Sequence, residues 1–173
     1  MNGLLTIRDI AGFCPETAVW KMLTDVSGIL IKEDQGYQIS ADTIVVDGDA
    51  FFVTGEKNNS NMLDMVWELG AIAYYTATGH IVFGGHGGEY QQAHPHVTLP
   101  MLPKSFMTLT PIIHRCLCYD KSCRINMEDL SRMAEEGLTA CLHRKREKSQ
   151  KTDKPYEKNC KQLEKWPEEM KER

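Results

Sequence analysis

Apolar side chains recur at helical spacing soon after the start of the chain. Val19, Trp20, Leu23, Val26, Ser27 and Leu30 line one face, predicting an amphipathic helix that opens at Cys14-Pro15-Glu16 and ends near Lys32. The period then drops to that of strands. Thr43-Ile-Val-Val-Asp-Gly-Asp-Ala-Phe-Phe-Val-Thr54 predicts two short strands joined at Asp47-Gly48, where a tight turn needs positive φ angles. Helical spacing returns from Asn61 to Thr78 through Met62, Met65, Val66, Leu69 and Ala73. The second half of that helix carries few charges, so it is expected to be buried on several sides, with Gly79 as its C-cap.

Residues 79–104 are rich in Gly and Pro and read as a long irregular excursion, with a short helix near Glu89–Gln92. Phe106, Leu109, Ile113 and Leu117 mark a further helix, capped by Ser105 or Thr108 and running to about Cys118. Asn126 is a good N-cap for the next, with Asp129 in its first turn and Met127, Leu130, Ala134, Leu138 and Cys141 facing inward. After Leu142 the apolar period fades. Pro155 and Pro167 are expected to break a lysine- and glutamate-rich tail into short helices, anchored by Tyr156, Leu163 and Trp166. The division is thus a domain over residues 1–142 and a charged tail over 143–173.

Charge sharpens that division. Residues 1–142 hold nine Lys+Arg against seventeen Asp+Glu, a balance of −8, and residues 143–173 hold eleven against seven, a balance of +4. An acidic body can attract a basic partner or its own tail, and a solvated helix face is the plainer reading of the tail. Acids interleave with the tail's bases, which argues against nucleic acid. With 42% hydrophobic residues in a chain of 173, there is enough apolar material for a real core. No apolar run approaches the roughly 18 residues that span a bilayer, and Met1–Ile10 lacks a basic, then apolar, leader pattern. The expectation is a cytoplasmic protein whose six cysteines are free thiols.

Several patterns could carry chemistry. Cys116, Cys118 and Cys123 near His114 are spaced too tightly for a zinc knuckle, and positions 116 and 118 fall on different sides of a helix. Phe83-Gly-Gly-His-Gly-Gly88 lacks the Lys-Ser/Thr that follows a phosphate loop. His94 and His96 have no third ligand, and no strained turn supports Cys14 or Cys116 as a nucleophile. No metal, cofactor or catalytic residue is expected.

The remaining phrases form a pattern in order. Trp67-Glu-Leu-Gly70 with Tyr75-Thr-Ala-Thr-Gly79 resembles the W-S-x-G and T-G of the buried central helix of a protein-kinase C-lobe. Cys116-Leu117 with Asp120-Lys-Ser-Cys-Arg124 resembles the kinase C-L-x-x-D-P-x-x-R segment, with Lys121 in place of Pro. Ile39-Ser-Ala-Asp-Thr-Ile-Val-Val-Asp-Gly48 resembles the L-K-P-E-N-I-L-L-D stretch. In this register Gln38 stands where a kinase has its catalytic Asp, Thr43 where it has a metal-binding Asn, and Thr54-Gly-Glu56 near D-F-G. Asp64 precedes Trp67 by three residues rather than two, a turn of about 100° on a helix. Only fourteen residues precede the first clear helix, too few for a nucleotide-covering lobe.

Leu5-Thr-Ile-Arg-Asp-Ile10, Trp20 and Ile39-Ser-Ala-Asp-Thr-Ile44 make the whole, over about residues 4–142, similar to the KIND family, kinase C-lobe domains without catalysis. The resemblance implies a mainly α (α+β) C-lobe-like fold with a small β-hairpin and no N-lobe. It implies a non-enzymatic interaction module for a protein or peptide segment. It also implies structural roles for Trp67, Gly70, Asp120 and Arg124, with Glu56 as the carboxylate partner of Arg124. The alternative is a nucleotide-binding pseudokinase, or half of a split kinase whose N-lobe lies on another chain.

Overall fold

The computed structural model describes residues 4–33, 36–85 and 101–163. A short strand β1 (Leu5–Thr6) leads into a one-turn helix α1 (Ile7–Ile10), then the long helix α2 (Glu16–Glu33). Four strands follow: β2 (Gly36–Tyr37), β3 (Ile44–Asp47), β4 (Ala50–Val53) and β5 (Lys57–Asn58). Helix α3 (Met62–Thr78) comes next, then 3-10 turns at Val82–Gly85 and Lys104–Leu109, α4 (Thr110–Cys116) and α5 (Met127–Leu163). One antiparallel sheet has the order β1-β3-β4, and a two-stranded one pairs β2 with β5.

The local chemistry explains these boundaries. Asn61 caps α3 by accepting from the Leu63 amide at 2.8 Å, and Gly79 ends it in the left-handed region at φ 73°, its N–H returning to the Tyr75 carbonyl. Gly48 takes φ 63° at the first central position of the β3–β4 turn, and Asp49 has no positive φ, the II′ pattern that suits strand twist. Asn126 and Asp129 cap α5 reciprocally: the Asp129 amide donates to Asn126 Oδ1 at 2.7 Å, and Asn126 Nδ2 donates to Asp129 Oδ2 at 3.1 Å.

Four elements, β1, α1, β2 and β5, were not expected from the pattern. β1 and α1 are too short to show periodicity; a capping box between Thr6 and Asp9 fixes α1, with Thr6 N and Oγ1 both donating to Asp9 Oδ2 at 2.8 Å. The pairing of β2 with β5 joins segments about twenty residues apart with two residues each. A third difference concerns the segment before α4. One helix was expected from Ser105 or Thr108, but residues 104–109 are 3-10 and the α-helix begins at Thr110, where Pro111 suits a first turn.

The core is built on α3. Met65, Val66, Leu69 and Ala73 are fully buried, as are Met22, Leu23 and Val26 of α2 and Ile112 of α4, the helices that pack on α3. Glycine makes this close approach possible. A Cβ on Gly70 would fall on Cys116 Cβ of α4, well inside van der Waals contact. A Cβ on Gly137 would lie 2.5 Å from the Trp20 ring.

The chain divides into two compact units, Met1–Leu138 and Thr139–Arg173. The backbone of the second unit is helical to Leu163, so the break expected at Pro155 is absent. Proline there forfeits one backbone donor, while the Lys, Glu and Gln around it are good helix formers. The expected helix at 89–92, the pair His94 and His96, and Trp166 with Pro167 lie outside the described residues.

Candidate functional site

Two turns and one groove carry the polar geometry of the first unit. The first turn runs from Gln38 to Thr43. Thr43 Oγ1 donates to the Gln38 carbonyl at 3.0 Å and accepts from the Ser40 amide at 2.8 Å. The Gln38 amide donates to the Glu56 carbonyl at 2.9 Å, and the Thr54 amide to the Thr43 carbonyl at 2.8 Å. A Cβ on Gly55 would collide with the Gln38 carbonyl, so only glycine lets the two segments lie this close. The turn is therefore fastened to the start of β5 through backbone and hydroxyl groups. At 38 and 43 it carries an amide and a hydroxyl, and the Asp42 carboxylate between them is paired with Arg8. Among the described residues there is no group of three His, Cys, Asp or Glu side chains placed to hold a metal ion.

The second turn runs from Cys118 to Arg124. Asp120 Oδ1 accepts from Ser122 Oγ at 2.7 Å and from the Ser122 amide at 2.9 Å. These bonds hold the exposed Asp120 carboxyl below its ordinary value, the hydroxyl first and the amide second. They shape the turn so that Arg124 points inward, its side chain only 5% exposed. Arg124 Nε donates to the Cys118 carbonyl at 3.0 Å, one terminal nitrogen to the Leu63 carbonyl at 2.9 Å, and the other to the Tyr119 carbonyl at 3.4 Å. Burial pulls its guanidinium below the ordinary arginine value, and Asp64 pushes it back.

The carboxylate beside Arg124 corrects the expectation from sequence. It is Asp64, at 3.6 Å, and not Glu56, which is exposed beside β5. Asp64 sits in the first turn of α3, next to the Leu63 carbonyl that Arg124 already holds. Its carboxylate is shared with Lys121 at 2.7 Å. The signal for this pairing was present in Lys121, the residue standing where the resemblance would place Pro. Gly70 and Trp67 lie on the same helix: Gly70 buried against α4, and Trp67 half-buried. Arg124 thus ties the turn after α4 to α3, Gly70 brings α3 against α4, Asp120 shapes that turn, and Glu56 takes no part in the set.

Cys116 and Cys14 belong to packing. Cys116 is buried, and burial pushes its thiol up to about 12, far from a nucleophile's range. Cys14 donates to the Thr76 carbonyl at 3.3 Å and is likewise raised by burial. Among the described residues, Cys14, Cys116, Cys118, Cys123 and Cys141 form no disulfide.

The groove lies between α2 and β4, with an open volume of about 410 Å³. Ile29, Ala50, Phe51 and Phe52 give it an apolar floor, with Lys21, Asp25, Lys32 and Glu135 at its rim. Asp25 ties the helix to the strand by accepting from the Phe51 amide at 3.0 Å, and Lys21 covers the same carboxylate at 2.6 Å. The spacing of Lys21 and Asp25, four residues apart, was readable in the sequence; the bond to Phe51 was not.

No family model matches the chain, and no curated protein matches it. Among solved structures it is similar to the apo GRMZM2G135359 pseudokinase, at 16% identity and a TM-score of 0.59, over 80% of this chain and 60% of that one. The likeness gives the chain a kinase-like fold, helix-rich with small antiparallel sheets. The chain spans about 60% of that pseudokinase's length. No described helix is long and apolar enough to cross a membrane.

Proposed function

We propose that this kinase-like fold is a C-lobe-like interaction module of the KIND type, which binds a protein or peptide segment and transfers no phosphoryl group. The observation that carries the reading is the Gln38–Thr43 turn. Phosphoryl transfer rests on a positioned base and on metal ions held by carboxylate or amide oxygens. In this turn the Thr43 hydroxyl is consumed in closing the loop, and Gln38 offers no base. Meanwhile the contacts that hold the helices together, at Gly70 and Arg124, are intact. The fold is retained where it packs and altered where a kinase would react.

The test is incubation of the purified chain with γ-labelled ATP and Mg²⁺. The expected result is no transfer of label to the protein, to a general acceptor protein or to water. Transfer that is lost in Gln38→Ala would overturn the reading and favour a pseudokinase with residual chemistry or half of a split kinase. For the binding half of the reading, size-exclusion chromatography in native lysate is expected to show the chain in a larger complex. Elution alone under several conditions would contradict it.

A further inference from the structure

Phe13 is the most exposed large apolar side chain among the described residues, at 92%. Its backbone is nevertheless held on both sides. The Thr76 carbonyl accepts from the Gly12 amide at 2.9 Å and from Cys14 Sγ at 3.3 Å, and the Phe13 amide donates to the Ile10 carbonyl at 3.1 Å. Gly12 takes φ 80° and lies against the end of α3, where a Cβ on it would stand 3.2 Å from Gly79 Cα. Two residues past Gly79 comes Ile81, 64% exposed. Three residues past Phe13, the Glu16 carboxylate accepts from the Thr108 hydroxyl, and next to Thr108 is Met107, 45% exposed. The start of α2, the end of α3 and the 3-10 turn before α4 thus bring Phe13, Ile81 and Met107 to one corner of the first unit. An aromatic ring carried on a fastened backbone loses little freedom when something covers it.

Area and charge select what covers it. A large side chain offers about 150–250 Å², so these three together expose roughly 400 Å², the size at which a patch marks a contact site. Laid on its own copy across a two-fold axis, the patch removes about 800 Å² from water, and the Gly, Pro and Thr residues around it bring the total to the roughly 1,000–1,200 Å² of a weak specific contact. Residues 11–15, 79–85 and 105–111, which build the corner, contain no Asp, Glu, Lys or Arg, although residues 1–142 carry a balance of −8. Glu16 and Lys104 stand at its edge. Two acidic bodies repel each other at most faces, over a distance of about 8 Å at physiological salt, and this face is where they approach without opposing charges.

We infer that the Phe13–Ile81–Met107 corner pairs with the same corner of a second copy of this chain, with Phe13 as the anchor of a symmetric apolar contact. The contact is small, so the dimer forms at micromolar concentration rather than being obligate. This goes beyond the interaction-module reading, which concerns a different protein or peptide, and neither depends on the other.

The test is sedimentation equilibrium of the purified whole chain over a concentration series, with a reductant present so that the exposed Cys123 forms no bridge between copies. A monomer–dimer equilibrium is expected, weakened by at least about tenfold in Phe13→Ser with Ile81→Ser. Raising salt from about 0.1 M to 1 M shortens the screening length from about 10 Å to 3 Å and is expected to tighten the dimer, because it removes repulsion from an apolar contact. Amide shifts of the unaltered protein on dilution guard against a variant that folds poorly, and changes confined to residues 11–15, 79–83 and 104–111 support the site. A monomer at every concentration, a dimer indifferent to the double substitution, or one that weakens as salt rises would overturn the inference, the last pointing to the basic tail on an acidic body. Flotation of a monomeric chain with phosphatidylcholine vesicles, lost in the double variant, would overturn it too and assign the corner to a lipid surface. Only the purified chain is used, so the outcome is separate from the lysate and ATP tests of the interaction-module reading.

Discussion

The turns at Gln38–Thr43 and Asp120–Arg124 are both held by polar side chains closing on backbone, yet they differ in what they keep. At Asp120–Arg124 a carboxylate shapes the turn and a buried guanidinium reaches across to α3. At that turn the charged residues fasten the backbone to α3. At Gln38–Thr43 the closing is done by neutral groups, the Thr43 hydroxyl with the Ser40 amide and the Gln38 carbonyl. The difference separates two demands on one fold. Packing tolerates little change in the size or hydrogen bonding of a buried group, whereas a half-exposed turn can close on itself through neutral groups alone.

Substitutions at the two turns sharpen this comparison. The largest effect is expected at Gly70, where the contact with Cys116 leaves no room. Gly70→Leu should lose at least about 3 kcal/mol in a urea melt followed by circular dichroism. Arg124→Ala removes donors from three carbonyls and leaves Asp64 with Lys121 alone. A loss of about 2–4 kcal/mol is expected, with partial recovery in Arg124→Lys. Thr43→Val should cost less, about 1–2 kcal/mol, since it orphans the Ser40 amide in a half-exposed turn. A Thr43 effect as large as that of Arg124 would break the distinction between the turns. Gly28→Ala should move stability the other way, adding about 0.5–1 kcal/mol, because that glycine makes no packing contact.

The smallest expected effect is in pH. The Asp120 carboxyl is held below its ordinary value in the folded chain, so its contribution is present above the ordinary carboxylate range, near about 4, and is lost as pH falls through the folded value. Asp120→Asn should flatten that part of the acid limb in a melt series across pH.

Much of this was legible in the sequence because it is local. The span of α2, the Asp47-Gly48 hairpin, the Asn61 and Gly79 caps and the Asn126 cap all follow from neighbours within four residues. The buried glycine at 70 was legible through its motif, although its reason, Cys116, lies forty-six residues away. What was missed depends on distance in space. The partner of Arg124 was assigned to Glu56 because the resemblance placed it there. Asp64, displaced by one residue along α3 in the resemblance, lies beside Lys121 and Arg124. The groove between α2 and β4 left no trace in the sequence, because nothing in a periodicity marks a helix glycine as facing open space. The two-residue strands β1, β2 and β5 are fixed only by their partners and left no periodic trace.

The central claim is that the Gln38–Thr43 turn is a fastening and not a nucleotide or metal site. Its most direct test is thermal unfolding of the chain with and without ATP and Mg²⁺. A ligand bound to the folded state at about 100 times its Kd would add about 2.7 kcal/mol and raise the melting temperature measurably. The account predicts superimposable curves. A rise in melting temperature that disappears when Mg²⁺ is chelated would contradict it.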